Sequence, residues 1–66
     1  MIVKINGKSE TCDSGLNLTE LISGKGLVPD HIVVEHNMRI ISKDQWSGIN
    51  INENDTIEIV SFVGGG

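Results

Sequence analysis

Apolar and polar residues alternate at period two near both ends of the chain, and a helical period appears once between them. In residues 1–6, Met1, Val3 and Ile5 alternate with Ile2, Lys4 and Asn6, which predicts a half-buried strand. Asn6-Gly7 follows, and both residues tolerate the positive φ of a type I′ turn. Residues 8–12 should therefore return antiparallel, with Glu10 and Cys12 on one face and Ser9 and Thr11 on the other. Asp13-Ser14-Gly15 closes that hairpin. Leu18, Leu21 and Ile22 then form an i, i+3, i+4 stripe, the apolar face of a helix. Its start is marked three times: Asn17 suits an N-cap, Glu20 completes a capping box, and Leu16 and Leu21 occupy the staple positions. Gly24 is expected as the C′ residue, which limits the helix to about two turns. Leu27-Val28 is expected to pack back on the core, and Pro29-Asp30 to end any helix.

Residues 31–36 read as a third strand, Asn37-Met38 as a turn and Arg39-Ile40-Ile41 as a short fourth strand. Ser42 with Gln45 repeats the capping-box spacing, so Lys43-Asp44-Gln45-Trp46 should form one helical or 3₁₀ turn, released at Gly48. Trp46 is expected to anchor that turn on the core. Ile49 and Ile51 alternate with Asn50 and Asn52, Glu53-Asn54-Asp55 is a polar turn, and residues 56–63 are the last strand. A two-stranded hairpin cannot bury its face alone. A helix covering one face of a mixed sheet gives a two-layer α+β fold. The order of elements is that of the β-grasp, or ubiquitin-like, arrangement: a mixed four- to five-stranded sheet on one short helix, with the first and last strands side by side at its centre.

The last strand is irregular. Ile57 and Ile59 alternate with Thr56 and Glu58, but Val60 and Phe62 fall on the Glu58 face. If Ile57 and Ile59 face the helix, Val60 and Phe62 face water, and exposed apolar patches mark partner contacts. The alternative is that Phe62 folds back over the edge of the core. Past Val63 come Gly64, Gly65 and Gly66, which have no side chain to pack. The division expected is a domain over 1–63 and a flexible glycine tail over 64–66. Glycine lets another backbone come very close, so such a tail could thread a narrow channel and deliver its carboxylate to a reacting centre. Composition of the tail alone leaves an inert, frayed end equally open.

The 66 residues make one domain, with 38% apolar and 21% charged residues, the balance of a globular protein. Trp46 and Phe62 are the only aromatics, so the core rests on Ile, Val and Leu. The net charge of −4 argues against a general affinity for nucleic acid, which needs a basic footprint, and suits a basic partner surface. A single cysteine, Cys12, allows no internal disulfide and no cysteine-based zinc site. It has no base or cation beside it in sequence and reads as a small buried hydrophobe. No apolar run approaches membrane-spanning length. Met1 leads straight into Ile2-Val3-Lys4-Ile5, so no signal peptide is expected and the cytoplasm is the default location.

Most of the usual catalytic motifs are missing from the chain. It has no nucleophile elbow, Walker-type loop or dinucleotide fingerprint, and Gly24-Lys25-Gly26 is too short to cradle a phosphate. His31 and His36, five apart on one strand, would face opposite ways and could not share a metal. They read as solvated or hydrogen-bonded side chains. With no cleft expected, a stand-alone enzyme is a poor fit. What is left is the terminal carboxylate, inert to nucleophiles until it is joined to a good leaving group. No Cβ shields a terminal glycine, and an apolar patch beside it would supply binding energy remote from the reacting atoms.

The whole chain resembles the ThiS family, the thiamine-biosynthesis sulfur carriers among the ubiquitin-like β-grasp proteins. The resemblance rests on the Asn6-Gly7 hairpin, the run Gly15-Leu16-Asn17-Leu18-Thr19-Glu20-Leu21, the segment from Asn37 to Trp46, the Asn54-Asp55 turn and the terminal Gly65-Gly66. The Gly-Gly end is shared with ubiquitin-like modifiers and molybdopterin-synthase small subunits; the spacing Asn-x-x-Ile-Ile-x-x-x-x-Trp and the short length favour ThiS. The resemblance implies a protein co-substrate and not an enzyme. Gly66 would be adenylated by an E1-like, ThiF-like enzyme that uses ATP. It would then take sulfur originating at a cysteine desulfurase and pass it, as a thiocarboxylate, to a ThiG-like thiazole synthase. Gly64 and Gly65 would be the flexible tail, and Val60, Phe62 and Val63 candidate docking residues. No bound cofactor, metal, nucleic acid or membrane is implied, and the free protein would be a monomer. A molybdopterin-type carrier and a modifier joined to lysines are the alternatives. Two departures stand out: His36 occupies a strand position where relatives place an apolar residue, and Gly64 lengthens the tail to three glycines.

Overall fold

The computed structural model describes residues 1–63. In chain order it contains β1 (Ile2–Ile5), β2 (Lys8–Thr11), α1 (Leu18–Gly24), a 3₁₀ turn (Pro29–His31), β3 (Ile32–His36), β4 (Arg39–Ile41), a second 3₁₀ turn (Lys43–Gly48) and β5 (Thr56–Ser61). The five strands form one mixed sheet in the order β2-β1-β5-β3-β4. β1–β2 and β3–β4 are antiparallel hairpins. β5 lies between them, parallel to β1 and antiparallel to β3. This is the α+β, β-grasp arrangement expected, with the first and last strands adjacent. The first hairpin turns at Asn6 and Gly7, both at positive φ (52° and 81°), as a type I′ turn requires.

One face of the sheet presents Val3, Ile5, Ile57, Ile32 and Val34 to Leu18, Leu21 and Ile22 of α1, and Trp46 and Ile51 complete the core. Burying a side chain of this size stabilises the fold by about 1.5–3 kcal/mol. The Trp46 indole N–H donates to the Ile41 carbonyl at 3.0 Å, so the anchor is satisfied as well as buried. Cys12 is half-buried and packs against the core edge.

The start of α1 is as expected. The Glu20 N–H donates to Asn17 Oδ1 at 2.8 Å, and the Asn17 N–H donates to Glu20 Oε1 at 3.0 Å. Its end differs. Gly24 is helical, Lys25 is the C-cap, and the left-handed residue is Gly26 at φ +70°. The Gly26 N–H donates to the Ser23 carbonyl and the Leu27 N–H to the Ile22 carbonyl, the two bonds of a Schellman ending. Leu27 and Val28 are exposed, not packed on the core. Pro29 begins a 3₁₀ turn instead of ending a helix, and that turn takes His31 out of β3. The Ser42 side chain caps nothing. In its 3₁₀ turn the Gln45 N–H donates to the Ser42 carbonyl, so the donor a capping box would use is already taken. Ile49 and Ile51 flank a single bridge between Asn17 and Asn50, and β5 stops at Ser61, two residues early.

His36 has a partner in Asp55, the buried residue before β5. Asp55 Oδ2 accepts from His36 Nε2 at 2.7 Å and from the Asn52 N–H at 2.8 Å, and Oδ1 accepts from the Asn37 amide at 3.1 Å. Burial pushes the Asp55 carboxyl up, but the Asn52 N–H, the His36 ring and the Asn37 amide outweigh it and hold the group below the usual carboxylate range. The Asp55 carbonyl also accepts from the Lys4 N–H at 2.9 Å. One residue thus ties β1, the β3–β4 turn and the start of β5 together, at the end of β5 away from the tail.

Candidate functional site at the end of the central strand

β5 carries the chain from the core to the tail. Ile57 and Ile59 point to the helix side, which leaves Thr56, Glu58 and Val60 on the open face. The register sets Val60 opposite Val33 and Glu58 opposite Glu35, and Ile40 of β4 stands opposite Glu35 on its other side. Val60 is 58% exposed and Phe62 62%. Phe62 is not folded over the core edge: its N–H donates to the His31 carbonyl at 3.0 Å, holding the backbone in line with the strand. Val63 is exposed too. The three docking residues expected from sequence therefore cluster where β5 leaves the sheet. Gly64, Gly65 and Gly66 lie outside the described residues.

The other edge of β5 changes partner along its length. The Asn6 N–H donates to the Ile57 carbonyl at 2.9 Å, and the Ile59 N–H then donates to Asn6 Oδ1 at 2.7 Å. Because β1 has turned away at Asn6-Gly7, a side chain takes the place of the missing ladder. Past that point, among the described residues, no strand lies on the β1 side of β5. Shallow grooves open there, in place of the cleft-free surface expected. One of about 340 Å³ runs between Ile5, Ile32, Ile59 and Leu27, with the Lys25–Glu10 ion pair (2.7 Å) at its rim. Another of about 440 Å³ includes Leu27, Val28, His31 and Val63. The exposure of Leu27 and Val28 thus places apolar surface beside the chain exit.

The charged pair in contact at these grooves, among the described residues, is Lys25–Glu10, at the rim of the first. Among the described residues no group of three or more His, Cys, Asp or Glu could hold a metal ion, and no helix is long and apolar enough to cross a membrane. The sequence reading missed Val33, Ile40 and the Glu35–Glu58 pairing. A signal for Val33 existed: in the run Ile32-Val33-Val34, period two forces one apolar residue outward. The pairing of two glutamates 23 positions apart in number (58 minus 35) is non-local and had none.

The ThiS family model matches residues 3–66. The sulfur carrier protein ThiS of Bacillus subtilis is 34% identical over 98% of this chain and 100% of its own length. A thiazole synthase of Magnetococcus marinus is 33% identical across the whole chain, which spans only 20% of that protein; the same holds for one from Paramagnetospirillum magneticum at 30%. The crystal structure of the thiamine biosynthesis protein ThiS from Geobacter metallireducens superposes with a TM-score of 0.85 at 30% identity, covering 100% of both chains. With a β-grasp body, an apolar root to the tail and end-to-end similarity of this kind, the chain belongs to the ThiS family.

Proposed function

We propose that the chain is a sulfur carrier for thiamine biosynthesis whose reacting group is the carboxylate of Gly66. A carboxylate oxygen attacks the α-phosphorus of ATP in the active site of an E1-like, ThiF-like enzyme. Pyrophosphate leaves, and the acyl adenylate now has AMP as its leaving group. The outer sulfur of a persulfide formed by way of a cysteine desulfurase displaces AMP to give an acyl disulfide, and a second thiol attacks its S–S bond, leaving the thiocarboxylate and a disulfide. A ThiG-like thiazole synthase consumes that sulfur. The likeness to one-fifth of two thiazole synthases supports this last partner.

The observation that carries the reading is the exposed Val60, Phe62 and Val63 at the root of the glycine tail. Apolar contacts there grip the body while the tail reaches the nucleotide, so binding energy remote from the reacting atom positions it. The division of labour is a folded grip over 1–63 and a reactive tail over 64–66, with no cofactor of the chain's own.

The test is intact-mass measurement after incubation with ATP, the adenylating enzyme and a sulfur source. A gain of about 16 Da at Gly66, oxygen exchanged for sulfur, is expected. Deleting Gly65 and Gly66 should abolish the gain and leave thermal unfolding unchanged. No gain, with an enzyme that modifies another ThiS-family protein in parallel, overturns the proposal. Higher-mass adducts on lysines would point to a modifier instead.

A further inference from the structure

We infer that the open face of the sheet docks onto a protein surface that places a guanidinium group between Glu35 and Glu58. The register sets these carboxylate side chains directly opposite each other on β3 and β5. Like charges directly opposed across a ladder are destabilising. Among the described residues no cation is in ion-pair contact with either glutamate: the ion pairs are Lys25–Glu10, His36–Asp55 and Lys43–Asp30. Lys4, which shares the open face, stands opposite Thr56.

The surroundings narrow the occupant. The next pair on the same face, toward the tail, is Val33 with Val60, and Ile40 flanks Glu35. Both glutamates are half-buried in the ladder, whereas Val33, Ile40, Val60 and Phe62 are exposed around them. Two acids inside an apolar frame suit one cation better than two. A guanidinium is planar, forks to reach two carboxylates and sheds water more readily than an ammonium, so it suits an apolar rim. Nucleic acid and anionic lipid carry the wrong sign of charge. Like charges retained at an unoccupied interface weaken the free protein, and the partner relieves them on docking. That the partner is the enzyme acting on Gly66 rests on the proposed function; the cation between the glutamates rests on the register.

The experiment compares the full chain with its Glu35→Gln/Glu58→Gln variant. In low salt the variant should melt a few degrees higher, about 1–8 °C for a domain of this size, and the gain should shrink in high salt. Titrated into the ThiF-like enzyme without ATP, the variant should bind about tenfold more weakly. In ATP–pyrophosphate exchange its KM should rise by about the same factor with kcat within about twofold. A variant that melts lower, or one that binds as tightly as the wild type, overturns the inference. So does a wild type that fails to bind. Wild-type protein that binds but supports no exchange overturns adenylation at Gly66 and leaves the docking intact, because Kd is read without turnover.

Discussion

Asp55 ties separate segments of the fold together through one side chain. Its carboxylate accepts three hydrogen bonds, from the end of β3, the β3–β4 turn and the loop before β5. Removing it leaves the Asn52 N–H, the Asn37 amide and the His36 ring without their acceptor. Asp55→Ala should therefore cost about 2–4 kcal/mol in urea unfolding. Its pH dependence has a definite sign. The folded carboxyl lies below the ordinary value of 3.8, so the unfolded chain binds the proton more readily. Its stabilisation is full above that value and drains away as pH falls through the folded one. Thermal melts between about pH 2 and 6 should show the wild type losing stability below about pH 4, with Asp55→Asn losing less over that range. None of this was legible in the sequence. His36 stood out there only as a polar residue in an apolar place, because its partner lies 19 positions away.

At the scale of elements, legibility followed the range of the interactions. The start of α1 could be read because Asn17 and Glu20 are three apart and bond only to each other's backbone. Asn17→Ala should lower the unfolding free energy by about 1 kcal/mol, seen as a shift in the urea midpoint at constant slope. The end of α1 was misplaced because two glycines compete there, and which one turns left-handed depends on where Leu27 can go. Gly26→Ala forces a Cβ into φ +70° and should cost about 1–2 kcal/mol; Gly24→Ala, inside the helix, should cost nothing and can stabilise by about 0.5–1 kcal/mol. The same spacing at Ser42 and Gln45 made no capping box, since the tighter 3₁₀ turn had already given the Gln45 N–H an acceptor. Spacing identifies a cap only where the turn it opens is α-helical.

The molecule as a whole separates what holds it together from what it offers to others. Leu18 is fully buried and Phe62 mostly exposed. Leu18→Ala should cost about 2–5 kcal/mol, enough to endanger a domain of this size, while Phe62→Ser should stay within about 0.5 kcal/mol of the wild type and still raise the KM of the adenylation proposed for Gly66. The open face was partly readable, because Val60 and Phe62 broke the alternation of their own strand; the opposed acids next to Val33 and Val60 required the register. The parallel pair at the centre of the sheet has a mechanical consequence. β1 and β5 run side by side in the same direction, so the free end of one lies opposite the far end of the other. Tension applied to the tail while Met1 is held therefore loads every bond between them in shear at once, including the Asn6 side-chain link. If the proposed enzyme draws on the tail, the body is loaded in shear along this pair of strands and is not peeled open one bond at a time.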